Sequence, residues 1–130
     1  MENSKYKFRA WDKNERTMHP VSSLSPKFIM VPKSPNQRSR NDCDIMQYTG
    51  LKDRNGVEIF EGDVVRGEFI AYDIGVCTGQ ILFDEARFIF KSDSQPNYPN
   101  TPVWVPLCEM KNVEIIGNVH QHPHLLGEKK

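Results

Sequence analysis

The densest set of metal-ligating side chains in this sequence is His120-Gln121-His122-Pro123-His124, three imidazoles at alternate positions. Drawn out as a strand, they would share one face and could reach a common ion. An i, i+2, i+4 set on one segment is a poor tetrahedral cage, however, and Pro123 restricts the backbone before it. The expectation is a solvated tail with no dedicated metal and no cofactor. Glu61 and Asp63 flank Gly62 as a carboxylate pair. General acid–base work needs convergent partners, whereas acids at a turn ahead of a Val-rich strand hydrogen-bond the turn backbone. Cys43, Cys77 and Cys108 are odd in number and widely spaced, with no C-x-x-C pair. They fit neither a disulfide framework nor a zinc site, and read as buried or half-buried free thiols of a reducing cytoplasm. Gly50 and Gly56 are separated by five residues and followed by Val57-Glu58, which fails the phosphate-loop spacing. No nucleophile elbow, HExxH or dinucleotide fingerprint is present. No catalytic residue is therefore named, and the chain is expected not to be an enzyme.

Binding chemistry is better supplied. The 130 residues carry 17 Lys+Arg and 17 Asp+Glu, a net charge of zero that excludes a uniformly basic nucleic-acid coat. The zero conceals a division. Residues 1–41 hold nine basic and three acidic residues, leaving +6, and the remainder hold eight and 14, leaving −6. Lys33, Arg38 and Arg40 lie in a stretch whose only apolar residues are prolines, and Trp11 shares a strand face with Lys7 and Arg9. These four are the candidates for nucleic-acid contact, cations for phosphates and the indole for a base. Tyr6 and Phe8 alternate like core residues and are set aside. A basic arm has other uses. It could meet the acidic body of its own chain or of a sister subunit, giving a homo-oligomer, and a host or phage protein could dock on an exposed strand edge. No apolar stretch approaches the roughly 20 residues of a membrane helix, and no apolar run follows Met1-Glu2-Asn3-Ser4-Lys5, so neither membrane nor secretory targeting is expected.

The elements that would position these groups are short strands. Tyr6 to Trp11 alternates with period two, Asp12 to Arg16 is a polar turn, and Thr17 to Val21 can return as a partner that Pro20 confines to an edge. Phe28 to Val31 is a short apolar run, followed by the polar segment 32–41, read as a flexible basic loop. Ile45 to Thr49 is strand-like and stops at Gly50. Asp53-Arg54-Asn55-Gly56 is a strong turn signal, because Asn-Gly tolerates positive φ. Gly62, Asp63 and Gly117 are read as further structural turns. Thr78 to Phe83 and Arg87 to Phe90 read as a hairpin with a three-residue connection, and Val103 to Leu107 and Val113 to Val119 as two more strands. No capped amphipathic helix is visible. The class is mainly β, a small barrel or sandwich.

Three blocks resemble the YopX family of phage and prophage proteins: Lys7-Phe8-Arg9-Ala10-Trp11-Asp12, the 19 residues from Gln47 to Val65, and Ile115-Ile116-Gly117-Asn118-Val119 followed by Pro123-His124-Leu125-Leu126. The resemblance spans essentially the whole chain. It implies a β-rich fold containing an SH3-like barrel and residence in the host-cell cytoplasm, and it supplies no catalytic residue or cofactor. The chain departs from the family pattern in its histidine-bearing end, where a more acidic tail is usual. The combined expectation is an N-terminal β arm or subdomain (1–43), an SH3-like barrel (44–119) and a C-terminal tail (120–130). Its expected role is that of a phage accessory protein that binds or self-associates, with nucleic-acid binding as the alternative.

Overall fold

A computed structural model describes residues 7–71, 73, 75–96 and 98–126. Tyr6 and residues 127–130 of the tail lie outside them. The fold is mainly β and divides into two compact units, residues 1–50 and 51–130. That division falls after Gly50, later than the 43/44 boundary expected from the sequence. The segment from Cys43 to Gln47 pairs with the first strand, so it belongs with the N-terminal unit.

The N-terminal unit is organised around β1 (Phe8–Asp12). β2 (Thr17–Pro20) pairs with it antiparallel on one side, with Arg9 opposite Pro20 and Asp12 opposite Thr17. On the other side runs the first part of β6 (Cys43–Lys52), with Phe8 opposite Gln47 and Asp12 opposite Cys43. A strand flanked on both sides has little free surface, and the neighbours Ala10 and Trp11 are both buried although they point to opposite faces. β3 (Ser23–Leu24), β4 (Phe28–Met30) and β5 (Gln37–Ser39) form a small antiparallel sheet. Ala10, Ile29, Val31 and Cys43 make the core, with Val21 and Ile45 packed against it. The segment 32–41 is therefore not an open loop. It carries β5, whose Arg38 pairs with Ile29, and begins a 3-10 turn, Arg40–Asp42, whose Asn41 amide donates to Ser39 Oγ at 3.3 Å.

The second unit begins with β7 (Glu58–Phe60). β8 (Asp63–Phe69), β9 (Cys77–Asp84), β10 (Arg87–Ser92), β11 (Val103–Pro106) and β12 (Met110–Asn118) then form an antiparallel sheet in the order β11-β10-β9-β8-β12. The sheet curls as a half-barrel. Its core gathers Ile59, Val65, Phe69, Ile81, Phe90 and Leu107, with Phe69 and Phe90 edge to face at 5.9 Å between centroids. Gly79 is dictated by this packing, since a Cβ there would collide with the Lys91 carbonyl and lie 2.8 Å from the Phe90 ring.

Two local expectations change. The β9–β10 connection is a two-residue turn, because Asp84 pairs with Arg87, and both central residues, Glu85 (φ 52°) and Ala86 (φ 67°), are left-handed. That is the type I′ geometry, whose twist suits tight hairpins. Gly117 is not a turn residue. It lies within β12 beside an irregularity, and a side chain there would come within 2.7 Å of His122 Nδ1 and 2.8 Å of Leu125. Among the described residues, no helix is long and apolar enough to cross a membrane.

Candidate functional site

The sheet of the second unit offers one face to its core and the other to something else. Phe90 pairs with Val105 across β10 and β11, and both pack toward the core. The alternate pairs, Lys91 with Trp104 and Ile89 with Pro106, must therefore face away from it. Trp104 is 57% exposed there, although an indole is among the most favourable side chains to bury. Ile89 is buried at 5% without belonging to the core cluster, and it floors a hollow of about 260 Å³. The rim of the hollow carries Trp104, Pro106, Asp84, Glu85 and Arg87. The left-handed turn lifts Glu85 beside it, and no ion pair among the described residues engages Asp84, Glu85 or Arg87.

The hollow adjoins an open strand edge. Among the described residues, β11 is hydrogen-bonded through its pairing with β10 and by nothing on its far side. The opposite edge, β12, is covered. Ile115 N donates to Asp53 Oδ2 at 3.1 Å, and Arg54 N donates to the Val113 carbonyl at 2.7 Å. One edge is closed by a turn and the other is available for main-chain pairing. The arrangement can stack on an apolar or planar group, cover an aliphatic side chain, attract a cation and extend a sheet.

The residues picked out for nucleic acid are not brought together as a surface. Lys33 is exposed and Arg40 half-buried, its guanidinium donating to the Ser25 carbonyl at 3.0 Å. Arg38 and Trp11 are buried at 5% each, which corrects both assignments. Arg38 donates to Asp12 Oδ2 and to Glu15 Oε1 at 2.7 Å each, and also to the carbonyls of Pro35 (3.0 Å) and Lys33 (3.1 Å). It ties its own segment to the β1–β2 turn. Burial works to raise the Asp12 carboxyl, but the Glu15 amide and the Arg38 guanidinium outweigh it and hold it below the ordinary carboxylate value. The hydrogen bond from Arg38 lowers Glu15 in the same way, and Glu15 in turn raises Arg38. His19 stands beside the cluster, its Nε2 at 2.7 Å from Thr17 Oγ1, and burial and then the Arg38 charge lower its pKa.

The histidine segment is not extended. It turns at residues 119–121 and enters a 3-10 turn, Pro123–Leu126, and His122 Nδ1 accepts from Asn118 N at 3.2 Å. Cys43 and Cys77 are buried with thiols pushed up by that burial, and Cys108 is exposed.

The central block of the sequence, Gln47 to Val65, sets turns at its glycines between β6, β7 and β8, as its residues lead one to expect. The decisive match is to the family described as "YopX protein", over residues 7–127. The chain belongs to the YopX family. Two solved structures share the fold. A protein from Enterococcus faecalis, EF1440, is 28% identical with a TM-score of 0.62, covering 93% of this chain and 97% of its own. The protein YopX from Bacillus subtilis is 21% identical with a TM-score of 0.58, covering 92% and 97%. No curated protein matches the chain.

Within this YopX-family chain, Gly50 (φ 89°), Gly56 (φ 85°) and Gly62 (φ 91°) all adopt backbone that side chains resist. The acids hold the same turns. Asp53 Oδ1 accepts from Asn55 N and Val57 N at 2.9 Å each, and buried Asp63 accepts from Phe60 N at 2.8 Å. Burial acts to raise Asp53, yet the Ile115, Val57 and Asn55 amides together lower it. The hollow beside Trp104 was missed from the sequence, although Val103-Trp104-Val105 carried its signal: an aromatic out of phase with two core-facing valines.

Proposed function

We propose that this YopX-family protein is a non-catalytic accessory module of a phage or prophage, acting by binding another protein through the outer face of β10 and β11. One observation carries the reading: Trp104, exposed at the rim of a hollow floored by buried Ile89, stands beside a strand edge with no partner among the described residues. Exposed indoles are frequent anchors of protein interfaces.

The test is photo-crosslinking in the host cell from an amino acid placed at position 104, with exposed position 111 as the control. A defined protein adduct from 104 and not from 111 is expected. Equal adducts from both positions, or none from either, would sink the reading. Nucleic-acid binding retains only Lys33 and Arg40 of its proposed contacts, which predicts no retardation of mixed DNA or RNA in a gel shift at low salt.

A further inference from the structure

We infer that the β11 face takes an extended basic polypeptide segment, one that adds as a strand to the open edge and sets a Lys or Arg against Asp84 and Glu85. This rests on the reading of that face as a protein-binding surface and names the chemistry of its partner. The geometry supplies three complementary parts. The far side of β11 has main-chain groups with no partner among the described residues, so an extended chain can pair there. Trp104 and Ile89 lie on the side of the sheet away from the core, where alternate side chains of an added strand would also point. The carboxylates of Asp84 and Glu85 line the end of the hollow without an ion-pair partner among the described residues.

Charge decides between partners. Arg87 shares the rim, and Lys91, opposite Trp104 on the same face, is met by Asp93 at 3.9 Å; the two carboxylates of the turn then outnumber the one rim cation, and residues 51–130 hold twelve acidic and eight basic residues. An acidic segment would meet repulsion from the turn and from its surroundings, whereas a basic one is attracted by both. The exposed indole adds to this, since its face attracts a cation. β11 is four residues long and ends in Pro106, which has no N–H to offer. The added strand is accordingly short, and side-chain chemistry must supply much of the selectivity.

Three fluorescently labelled octapeptides of alternating sequence, Val-Lys, Val-Ser and Val-Glu, test this on the full chain by anisotropy. The Val-Lys peptide is expected to bind about tenfold more tightly than Val-Ser at low ionic strength, with Val-Glu weakest. The preference should shrink in ~1 M salt, where screening reaches within about 3 Å. The exposed pair Asp84→Asn and Glu85→Gln should bring Val-Lys to the Val-Ser affinity, and Trp104→Ala should weaken all three, with far-ultraviolet circular dichroism and its melting curve reporting an intact fold. Equal binding of all three peptides, with no effect of the paired substitution, would overturn the basic partner while leaving a protein-binding face in place. Failure of every peptide to bind overturns the extended partner, and the crosslinking at position 104 then decides the broader reading separately. A dimer that dissociates on Trp104→Ala would assign the face to a second copy and overturn the inference.

Discussion

The two units of this chain solve the same problem with different chemistry. The second is held by an apolar cluster centred on Phe90 and Ile81, each fully buried, and uses charge at its turns, where Asp53 gathers three amides. The first gathers a cluster of four small or medium side chains, buries Trp11, Met46 and Tyr48 besides, and adds a buried charged group, Arg38 spanning Asp12 and Glu15. With so small a cluster beside β5, which has no apolar residue, a guanidinium with five donors fastens that strand. The lesson concerns what charge is for. In the N-terminal unit, a basic residue that reads as a surface contact is an interior fastener, and the unit's net charge is a poor guide to what it touches.

Breaking the fastener should produce the largest difference between the units. Arg38→Met keeps the volume and removes the charge, leaving the Asp12 carboxylate buried without its counter-ion. A loss of about 3 kcal/mol is expected for the N-terminal unit, since removing one partner of a buried pair exposes the full desolvation cost of the other. Urea titration followed by Trp11 fluorescence in a Trp104→Phe background reads that unit. Pairing Arg38→Met with Asp12→Leu should recover much of the loss. A single substitution costing less than ~1 kcal/mol would show that the core, not the ion cluster, holds the unit.

Acid should separate the units next, and the sign can be worked out. His19, Asp12 and Glu15 all have folded-state pKa values below their ordinary ones. In each case the unfolded chain binds protons more readily, so each contributes stability that is present above its ordinary pKa and lost as pH falls through the folded value. The loss begins with His19 below about pH 6.5 and deepens as the carboxylates protonate below about pH 4. His19→Gln should remove the first stage and leave the second. In the other unit, backbone amides hold Asp53 below its ordinary value, so its contribution is lost only as the pH falls below about 4. Stability of the N-terminal unit that is flat from pH 7 to pH 5 would count against the buried His19.

How much of this was legible follows from the same contrast. The strands of both units could be read wherever alternation or a turn marked them, as in Phe8 to Trp11 and in Asp53 to Gly56. β5 could not, because Gln37-Arg38-Ser39 has no apolar residue, and its place is fixed by Ile29 in β4 and by carboxylates 23 and 26 residues away. Trp11 misled for a related reason. Alternation assigns faces correctly but does not say whether both faces are covered, and β1 is central. The division after Gly50 was not legible because β6 continues through it, so no break in pattern falls where the units divide. Trp104 needed no long-range information. Its phase relative to Val103 and Val105 placed it outside the core.

The smallest effect concerns strain in the second unit. Gly56 and Gly62 satisfy positive φ with the residue suited to it, yet Glu85 and Ala86 adopt the same region with side chains, next to the hollow. A left-handed residue with a Cβ costs roughly 1–2 kcal/mol, and the second central position of a type I′ turn favours glycine. Ala86→Gly should therefore stabilise the second unit, by about 0.5–1 kcal/mol once the added freedom of glycine in the unfolded chain is offset. The measurement is the urea midpoint read by a probe in this unit, with Trp104 serving in a Trp11→Phe background. If the turn is rigid because it must present Glu85, the same substitution should loosen that presentation and weaken Val-Lys peptide binding while stability rises. Opposite changes in stability and affinity would assign the strain to the binding face. Parallel changes would make it an ordinary hairpin, and the contrast between the units would then rest on the buried charges alone.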